Sequence, residues 1–375
     1  MNYKDDFSAG FSDENDFLSF LDSIEEHAQW QVHESNTIHV IAAEENPDMC
    51  EQIQADEDKE DIIKDTCANT GLLLKIEDQY YPVGATTIKT LENRARISGT
   101  ALQDLKKPKL ARILNDCLQV SKGKSLLRIH EGKVRAIHSG GKSDYSVLPM
   151  PQLFEISSIH VQEKYDEARF SGANFEHSLT TASWEVRDER LFDTYRGLLI
   201  QYGMEADEAL SAMIRVHTSD VGVSGANIFY SLLVGAEKKP LLLGNALKLE
   251  HENHASLENF SGNMEQVFAR YREAIEGLGK LFLVYVNYPA NVMAAVMNKA
   301  GIGKKLIAQT VEQFKVVHEQ GTCNGYEVYC GICEAIFLGQ SSGMGAKALV
   351  DLEEKVSRCL TFRFHEYDIP GAVSY

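Results

Sequence analysis

Strand-like and helix-like patterns are partly segregated along this chain. Alternating residues predict two hairpins in the first 150 residues, at 72–83 and at 125–139, the second turning at Glu131-Gly132. Four strands are predicted between residues 179 and 243, and four amphipathic helices between residues 262 and 360. We therefore predict an α+β fold with a mixed N-terminal part carrying hairpins, a strand-rich middle and a helical C-terminal third.

Breaks in this pattern suggest a division into three segments. The chain has 375 residues, which is long for a single compact domain. Residues 44–65 are polar and acidic with few large apolar side chains, so we expect them to be mobile or loosely packed. Pro149 and Pro151 mark a second break. The predicted segments are an acidic, partly mobile N-terminal segment (1–70), a basic α+β subdomain (71–150) and an α+β body with a helical C-terminus (151–375).

The sequence also favours a cytoplasmic protein that does not enter a membrane. No basic region followed by an apolar run occurs at the start, and the apolar run 281–286 is far too short to cross a bilayer. The cysteines number seven, which is odd, and they are scattered over the chain. This usage is typical of reduced thiols in a cytosol.

Charge is distributed very unevenly. The net charge is -18, and residues 1–88 hold 4 Lys and Arg against 21 Asp and Glu. Residues 89–147 reverse this balance, with 13 Lys and Arg against 5 Asp and Glu. A basic segment in an acidic chain raises the prospect of a polyanion partner.

The basic segment therefore supplies the candidate nucleic-acid contacts. Cations on two predicted helices and on the second hairpin can follow a phosphate backbone, with His130 and His138 as further donors or stacking groups. The alternative is a solvated, salt-bridged face paired with the acidic N-terminal segment. The candidate residues are Arg94, Arg96, Lys106, Lys107, Lys109, Arg112, Arg128, Lys133 and Arg135.

A polar loop between two predicted strands is a second candidate site. Residues 218–225 offer the hydroxyls of Ser219 and Ser224, the carboxylate of Asp220 and flexible backbone donors. The alternative is a structural turn in which these side chains bond to the backbone. A Ser-His-Asp triad that includes His217 and Asp220 is not predicted, because neighbours on a strand point to opposite faces.

Metal and phosphate motifs are incomplete, so neither a metal nor a cofactor is expected. Cys323, Cys330 and Cys333 do not reach four zinc ligands on suitable turns, and His251 and His254 are one residue too close for a metalloprotease helix. The glycine-rich runs 301–305 and 339–347 do not satisfy the phosphate-loop pattern and are predicted to be helix-entry turns.

Residues 86–155 carry a family resemblance. Arg128, Gly132, Arg135, Ala136, Ser139 and Tyr145 take the places of an R-x-hydrophobic-x-G-x-x-R-A-h-x-S-x-x-Y block. This block, with the residues around it and the 214–222 segment, resembles the phage- and plasmid-like family called domain of unknown function 932. The resemblance implies an origin in a mobile genetic element and no particular chemistry.

Taken together, these features predict a non-enzymatic protein of a mobile element that binds nucleic acid, in particular single-stranded DNA, during replication, recombination or establishment. The alternative is an acidic interaction factor that binds a host protein; an enzyme is the third choice. The oligomeric state is left open. The acidic N-terminal segment either lies over the basic segment and competes with a polyanion, or serves only solubility.

Overall fold

A computed structural model describes residues 2–48, 52–53, 58–141, 144–206, 209–318 and 321–375. The strands in these ranges are β1 Ser8–Phe11, β2 Ala28–Glu34, β3 Ile38–Ala42, β4 Leu72–Ile76, β5 Gln79–Pro82, β6 Lys124–His130, β7 Lys133–Ser139, β8 Ala168–Glu176, β9 Leu179–Val186, β10 Leu210–Thr218, β11 Ala226–Val234, β12 Lys239–Leu242, β13 Leu247–Leu249, β14 Tyr285–Val286 and β15 Cys323–Asn324. The helices are α1 Glu14–Glu26, α2 Lys59–Asn69, α3 Thr87–Arg94, α4 Lys107–Gln119, α5 Met150–Lys164, α6 Glu189–Gln201, α7 Leu257–Phe282, α8 Pro289–Lys299, α9 Lys304–Val317, α10 Gly325–Ser341 and α11 Ala346–Cys359. The α+β fold class predicted from the sequence is confirmed.

The body is organised around a seven-stranded antiparallel sheet in the order β1-β8-β9-β10-β11-β12, with β13 also paired to β11. Alternate residues of β10 face opposite sides of this sheet. Ile214 joins a large apolar core that includes Trp184 and residues of α5, α7 and α10. Arg215, on the other face, forms an ion pair with Glu353 of α11. The sheet is therefore covered by helices on both sides.

A smaller unit precedes the body and has a core of its own. Two three-stranded antiparallel sheets, β2-β6-β7 and β3-β4-β5, form this N-terminal unit. Helix α4 packs on β3 and helix α3 packs on β7. The apolar residues Leu110, Leu114 and Leu118 of α4 lie on one face of the helix and are buried in this core. The opposite face of α4 is left to solvent.

The predicted segment 1–70 is not an independent unit. Strand β1 extends the sheet of the body by pairing with β8, whereas β2 pairs with β6 and β3 pairs with β4. A strand needs a neighbour to satisfy its backbone groups, and each of these three finds it outside residues 1–70. The segment therefore divides between the two parts of the molecule.

Part of the stretch 44–65, predicted to be mobile, packs in the structure. Helix α2 begins at Lys59 and buries Ile62, and Ile53 forms a bridge with Tyr80. These two isoleucines join a small apolar cluster with Leu73, so few apolar residues are sufficient to attach the segment. Residues 49–51 and 54–57 of this stretch lie outside the described residues.

In the described ranges, no helix combines the length and the apolar character needed to cross a bilayer. The longest, α7, has 26 residues, but only one side of it is buried.

Candidate functional site

The three predicted phosphate contacts on the β6–β7 hairpin are buried. Lys133 is fully buried, and Arg128 and Arg135 are 3% and 2% exposed. Arg128 pairs with Glu25 of α1 at 2.9 Å and with Asp220 at 3.1 Å. Its guanidinium also lies over the Trp30 ring, 5.1 Å from the centroid. A phosphate backbone on the surface cannot reach this side chain, because protein groups surround it.

Lys133 and Arg135 lie on the same face of β7 and share one carboxylate. Asp5 lies 3.2 Å from Lys133 Nζ and 2.7 Å from Arg135 Nη1. Lys133 also forms a close ion pair with Asp65 of α2. Burial lowers the pKa of Arg135 to about 10, and Asp5 opposes that shift. The acidic N-terminal segment thus covers the basic hairpin through buried pairs, which neutralise cations that burial would otherwise destabilise.

Arg94 differs from these three because it has no acidic partner. It lies in the last turn of α3, is 7% exposed, and bonds to neutral oxygens. Its Nε donates to Ser125 Oγ at 2.9 Å, and its Nη2 donates to the carbonyl of Lys122 at 2.8 Å and closely to Ser35 Oγ. Among the described residues no carboxylate lies within 4 Å of its guanidinium. Burial lowers the pKa of Arg94, as does nearby Arg96, while Asp144 acts in the opposite direction.

The remaining cations of the basic segment lie on or beside α4. Lys106, Lys109 and Arg112 follow one another at three-residue spacing on its outer face and are exposed. Arg112 makes a 3.4 Å pair with Glu45. Ser121, just after α4, bonds to the carbonyl of Arg94, which brings that end of α4 to the end of α3. Besides Arg94, six cations of this region have no ion pair within the described part of the chain: Arg96, Lys106, Lys107, Lys109, Lys122 and Lys124.

Lys122 and Lys124 were not among the predicted contacts. They lie in the connection from α4 to β6 and at the start of β6, and both are exposed. The sequence Lys122-Gly-Lys124 places two lysines close together, and this pattern could have identified them as candidate contacts. Lys107 is half-buried because its aliphatic chain packs against Gly71.

A cavity of about 580 Å³ lies between the N-terminal unit and the body, and we call it the junction cavity. Helix α3 and strand β7 form one wall, the segment before α5 forms a second, and the 218–225 loop with residues 250–253 forms a third. The lining residues are Thr90, Asn93, Arg94, Ile137, His138, Ser139, Asp144, Tyr145, Gly222, Val223, Ser224, Glu250, His251, Glu252 and Asn253. The volume is within the range of small-molecule sites.

Three stacked rings form part of the cavity wall. The His138 and Tyr145 rings are nearly parallel with centroids 3.7 Å apart, and Tyr145 and His251 are parallel at 5.2 Å. His138 Nε2 donates to the carbonyl of Asp220 at 2.8 Å. Burial lowers the pKa of His138 to about 4, although the Asp220 carbonyl opposes the shift, so the ring is neutral at pH 7. The Tyr145 hydroxyl is buried and has no partner among the described residues.

The predicted polar loop contributes Gly222, Val223 and Ser224 to this cavity. Ser219 Oγ donates to the carbonyl of Ser178 at 2.7 Å and accepts from two backbone amides of the loop, as a structural turn would. The carboxylate of Asp220 pairs with Arg128, and its backbone carbonyl accepts a hydrogen bond from His138. Ser224 lines the cavity, and its Oγ lies 2.9 Å from His217 Nε2. The loop is therefore mainly structural, with Ser224 facing the cavity.

The Ser224–His217 contact has the length of a nucleophile–base pair but lacks the rest of such a site. His217 Nδ1 has no partner among the described residues, so no carboxylate orients the ring. Burial lowers the pKa of His217 to about 3, and the charges of Arg215 and Lys248 lower it further. A ring that resists protonation is a poor general base. We assign no catalytic role to this pair.

The cysteine and glycine motifs have structural positions. Cys330 and Cys333 lie on α10, whereas Cys323 lies on β15, and burial raises the pKa of each thiol. In the described ranges no three His, Cys, Asp or Glu residues are grouped as metal ligands. Gly303 and Gly345 are the N-cap residues of α9 and α11, so the two glycine-rich runs are helix-entry turns, as predicted.

Comparison of this chain with protein-family models, with curated proteins and with solved structures gives no match.

Proposed function

We propose that this protein binds single-stranded nucleic acid through the exposed cations on and around α4. The supporting observation is the division of the basic segment into two classes. Arg128, Lys133 and Arg135 are neutralised internally by carboxylates, whereas six other cations make no ion pair within the described residues. Unpaired cations on a surface attract phosphates and release counterions when a strand binds.

The layout of these cations suits an extended strand. The 13-residue helix α4 is about 20 Å long, with Lys106 and Lys109 near its beginning and Lys122 and Lys124 beyond its end. Arg96 lies at the end of α3, beside Arg94. The origin in a phage or plasmid and a role in replication, recombination or establishment rest on the family resemblance and belong to this proposal.

A triple variant, Arg96→Ala, Lys106→Ala and Lys109→Ala, tests the proposal. All three side chains are exposed, so folding should be retained. We expect weaker binding to a single-stranded DNA oligonucleotide at low salt, and a salt slope reduced by about 0.7 for each lost phosphate contact. The matched control is Lys299→Ala, Lys304→Ala and Lys305→Ala, which removes the same charge from exposed positions on α8 and α9.

Binding should fall in the first variant and stay close to wild type in the control. Equal losses in both would mean that only net charge matters, and absence of binding by the wild-type protein in dilute salt would reject the proposal. The buried residues Arg128, Lys133 and Arg135 are unsuitable for this test, since their replacement would unfold the hairpin before it removed a phosphate contact.

A protein partner is the second candidate function, and exposed apolar side chains in the helical C-terminal third favour it. Leu283 and Tyr285 are 74% and 63% exposed, and Val316 and Val317 are exposed at the end of α9. A groove of about 360 Å³ separates the beginning of α8 from the end of α9. Large apolar side chains left in solvent beside a groove are a feature of interaction surfaces, and this is the basis of the second candidate.

Site-specific crosslinking tests the second candidate in a bacterial host. A photoreactive residue at position Tyr285 should crosslink to one host protein, whereas the same residue at exposed Ile200 on α6 should not. Identical crosslinking patterns from both positions would reject a specific surface.

A further inference from the structure

The junction cavity is lined by the buried cation Arg94 and by the carboxylates of Asp144, Glu250 and Glu252. We infer that it binds the terminal phosphate-bearing nucleotide of a nucleic-acid strand, with Arg94 holding the phosphate. This inference rests on the proposed nucleic-acid binding and adds a recognition of strand ends. Three groups of lining residues support the inference.

Arg94 is the first. Its Nε and Nη2 atoms donate to protein oxygens, whereas its Nη1 makes no hydrogen bond with a described residue. A buried guanidinium without an ion pair is costly, and an anionic ligand in the cavity would offset that cost. Phosphate suits it because a terminal phosphate carries close to two negative charges and three acceptor oxygens.

Tyr145 supplies the second observation. Its ring lines the cavity, whereas its hydroxyl is buried near Asp220 and Arg128 and has no partner among the described residues. Burial also raises the pKa of this phenol well above its ordinary value, so it remains a donor at neutral pH. Stacking between His138 and His251 fixes the ring. The stacked rings form a fixed wall for the bound nucleotide.

The acidic side explains why a strand end is preferred to an internal phosphate. Glu250 and Glu252 are exposed and line the cavity. They accept hydrogen bonds from sugar hydroxyls and base amino groups, but they repel further phosphates. An internal nucleotide would bring its neighbouring phosphates past these carboxylates, whereas a terminal nucleotide places one phosphate at Arg94 and keeps the others outside.

The exposed cations continue from this point. Arg94 donates to the carbonyls of Lys122 and Lys124, so these two lysines adjoin the cavity wall that holds the guanidinium. Arg96 is close enough to lower the pKa of Arg94. The phosphates that follow the terminal one would therefore meet Arg96, Lys122 and Lys124, and then the cations of α4.

The experiment compares oligonucleotides of one sequence that carry a 5′ phosphate, a 3′ phosphate or only hydroxyl ends, by fluorescence anisotropy. We expect one of the phosphorylated forms to bind about tenfold more tightly than the hydroxyl-ended form, the gain expected from one charge-assisted contact. Asn93→Asp places a carboxylate on the cavity wall beside Arg94 and should reduce this preference to less than twofold.

Asn298→Asp is the matched control. Asn93 and Asn298 are both exposed and both lie in the last turn of a helix, α3 and α8 respectively, so the two changes have similar local costs. The control should keep the full preference for a terminal phosphate.

The outcomes separate the two proposals. If hydroxyl-ended and phosphorylated strands bind equally well, the end recognition is wrong and the nucleic-acid binding stands. A preference that persists in Asn93→Asp also overturns the assignment to this cavity. If none of the oligonucleotides binds in dilute salt, both proposals fail.

Discussion

The guanidinium of Arg135 donates a 2.7 Å hydrogen bond to the carboxylate of Asp5, which lies 130 residues earlier in the chain. The same carboxylate contacts Lys133, and Asp65 completes the group. The beginning of the chain is thus held to the β6–β7 hairpin by buried charges. A chain starting near Gly71 would lose these carboxylates together with β1, β2 and β3. It would therefore test folding and could not test masking of a nucleic-acid site.

Replacing Asp5 tests this buried group. Asp5→Asn leaves Arg135 buried without a carboxylate, and breaking one side of a buried ion pair costs about 3–5 kcal/mol. We expect a decrease of that order in the free energy of unfolding, measured by urea denaturation. Asp6→Asn is the control, because Asp6 is exposed and makes no ion pair within the described residues. Similar unfolding midpoints for the two variants would contradict the prediction.

Buried histidines predict a loss of stability in mild acid. Burial lowers the pKa of His130 to about 2, and that of His177 and His217 to about 3, from 6.5. Below pH 6.5 the unfolded chain then binds more protons than the folded chain. The free energy of unfolding therefore has its full value above pH 6.5 and decreases as the pH falls below it. Each histidine contributes a slope of about 1.4 kcal/mol per pH unit once the pH is well below 6.5.

Urea denaturation between pH 7.5 and 5.5 measures this slope while most carboxylates stay ionised. His217→Gln should reduce the slope of the free energy of unfolding against pH by the contribution of one histidine. Replacement of the exposed His39 should leave the slope unchanged. A flat profile over this range would show that these rings are not neutral and buried.

Two glycines should respond to alanine in opposite directions. A Cβ on Gly225 would lie 2.5 Å from the carbonyl oxygen of Leu249, whereas a Cβ on Gly277 would have nothing within 4 Å. Gly225→Ala must push β13 away from β11, and overpacking of this kind costs about 1–3 kcal/mol. Gly277→Ala, on an exposed position of α7, should add about 0.5–1 kcal/mol. Thermal unfolding of both variants checks the signs.

When the native protein is treated with an alkylating reagent, we expect exposed thiols to react and buried thiols to stay unmodified. Cys67 is exposed, whereas Cys333 and Cys359 are buried, and burial raises the pKa of Cys359 to about 12. Because the thiolate is the reactive form, Cys67 should be modified first, and the buried pair only after unfolding. Mass spectrometry of the peptides identifies the sites.

The same argument predicts that the Cys323, Cys330 and Cys333 group holds no zinc, since ligands must be deprotonated and four are needed. Elemental analysis of protein purified without chelator decides this. One zinc per chain, lost in a Cys330→Ser variant, would prove the prediction wrong.

The sequence by itself determined several elements whose two sides differ in polarity, although the amphipathic helix α6 was not predicted. Helix α9 was predicted with the bounds found in the structure, and α1 begins after its predicted cap, Asp13. Both hairpins of the N-terminal unit were found from alternation and turn residues. In these elements the local pattern agrees with the tertiary burial, because one face is apolar and the other is polar.

Two helices that lack a clear apolar face and polar face, α5 and α8, were not predicted. Helix α5 buries Ser157 and Ser158 along with its apolar residues, so its polar side chains do not mark a solvent face. Helix α8 buries Val292, Met293, Val296 and Met297 and is apolar over most of its surface. Periodicity fails in such elements, because neighbours on several sides, and not solvent, decide what is buried.

Only the tertiary structure decided which cations remain available for a ligand. Arg128 on β6 and Lys106 at the start of α4 look alike in a sequence, yet the first is buried between two carboxylates and the second is exposed. The acidic partners come from elements up to 130 residues away, and no local pattern encodes their approach. The junction cavity has the same origin, since its walls come from three separate parts of the chain. Charge and hydrophobicity are local properties, whereas desolvation and pairing depend on contacts that form only when the chain folds.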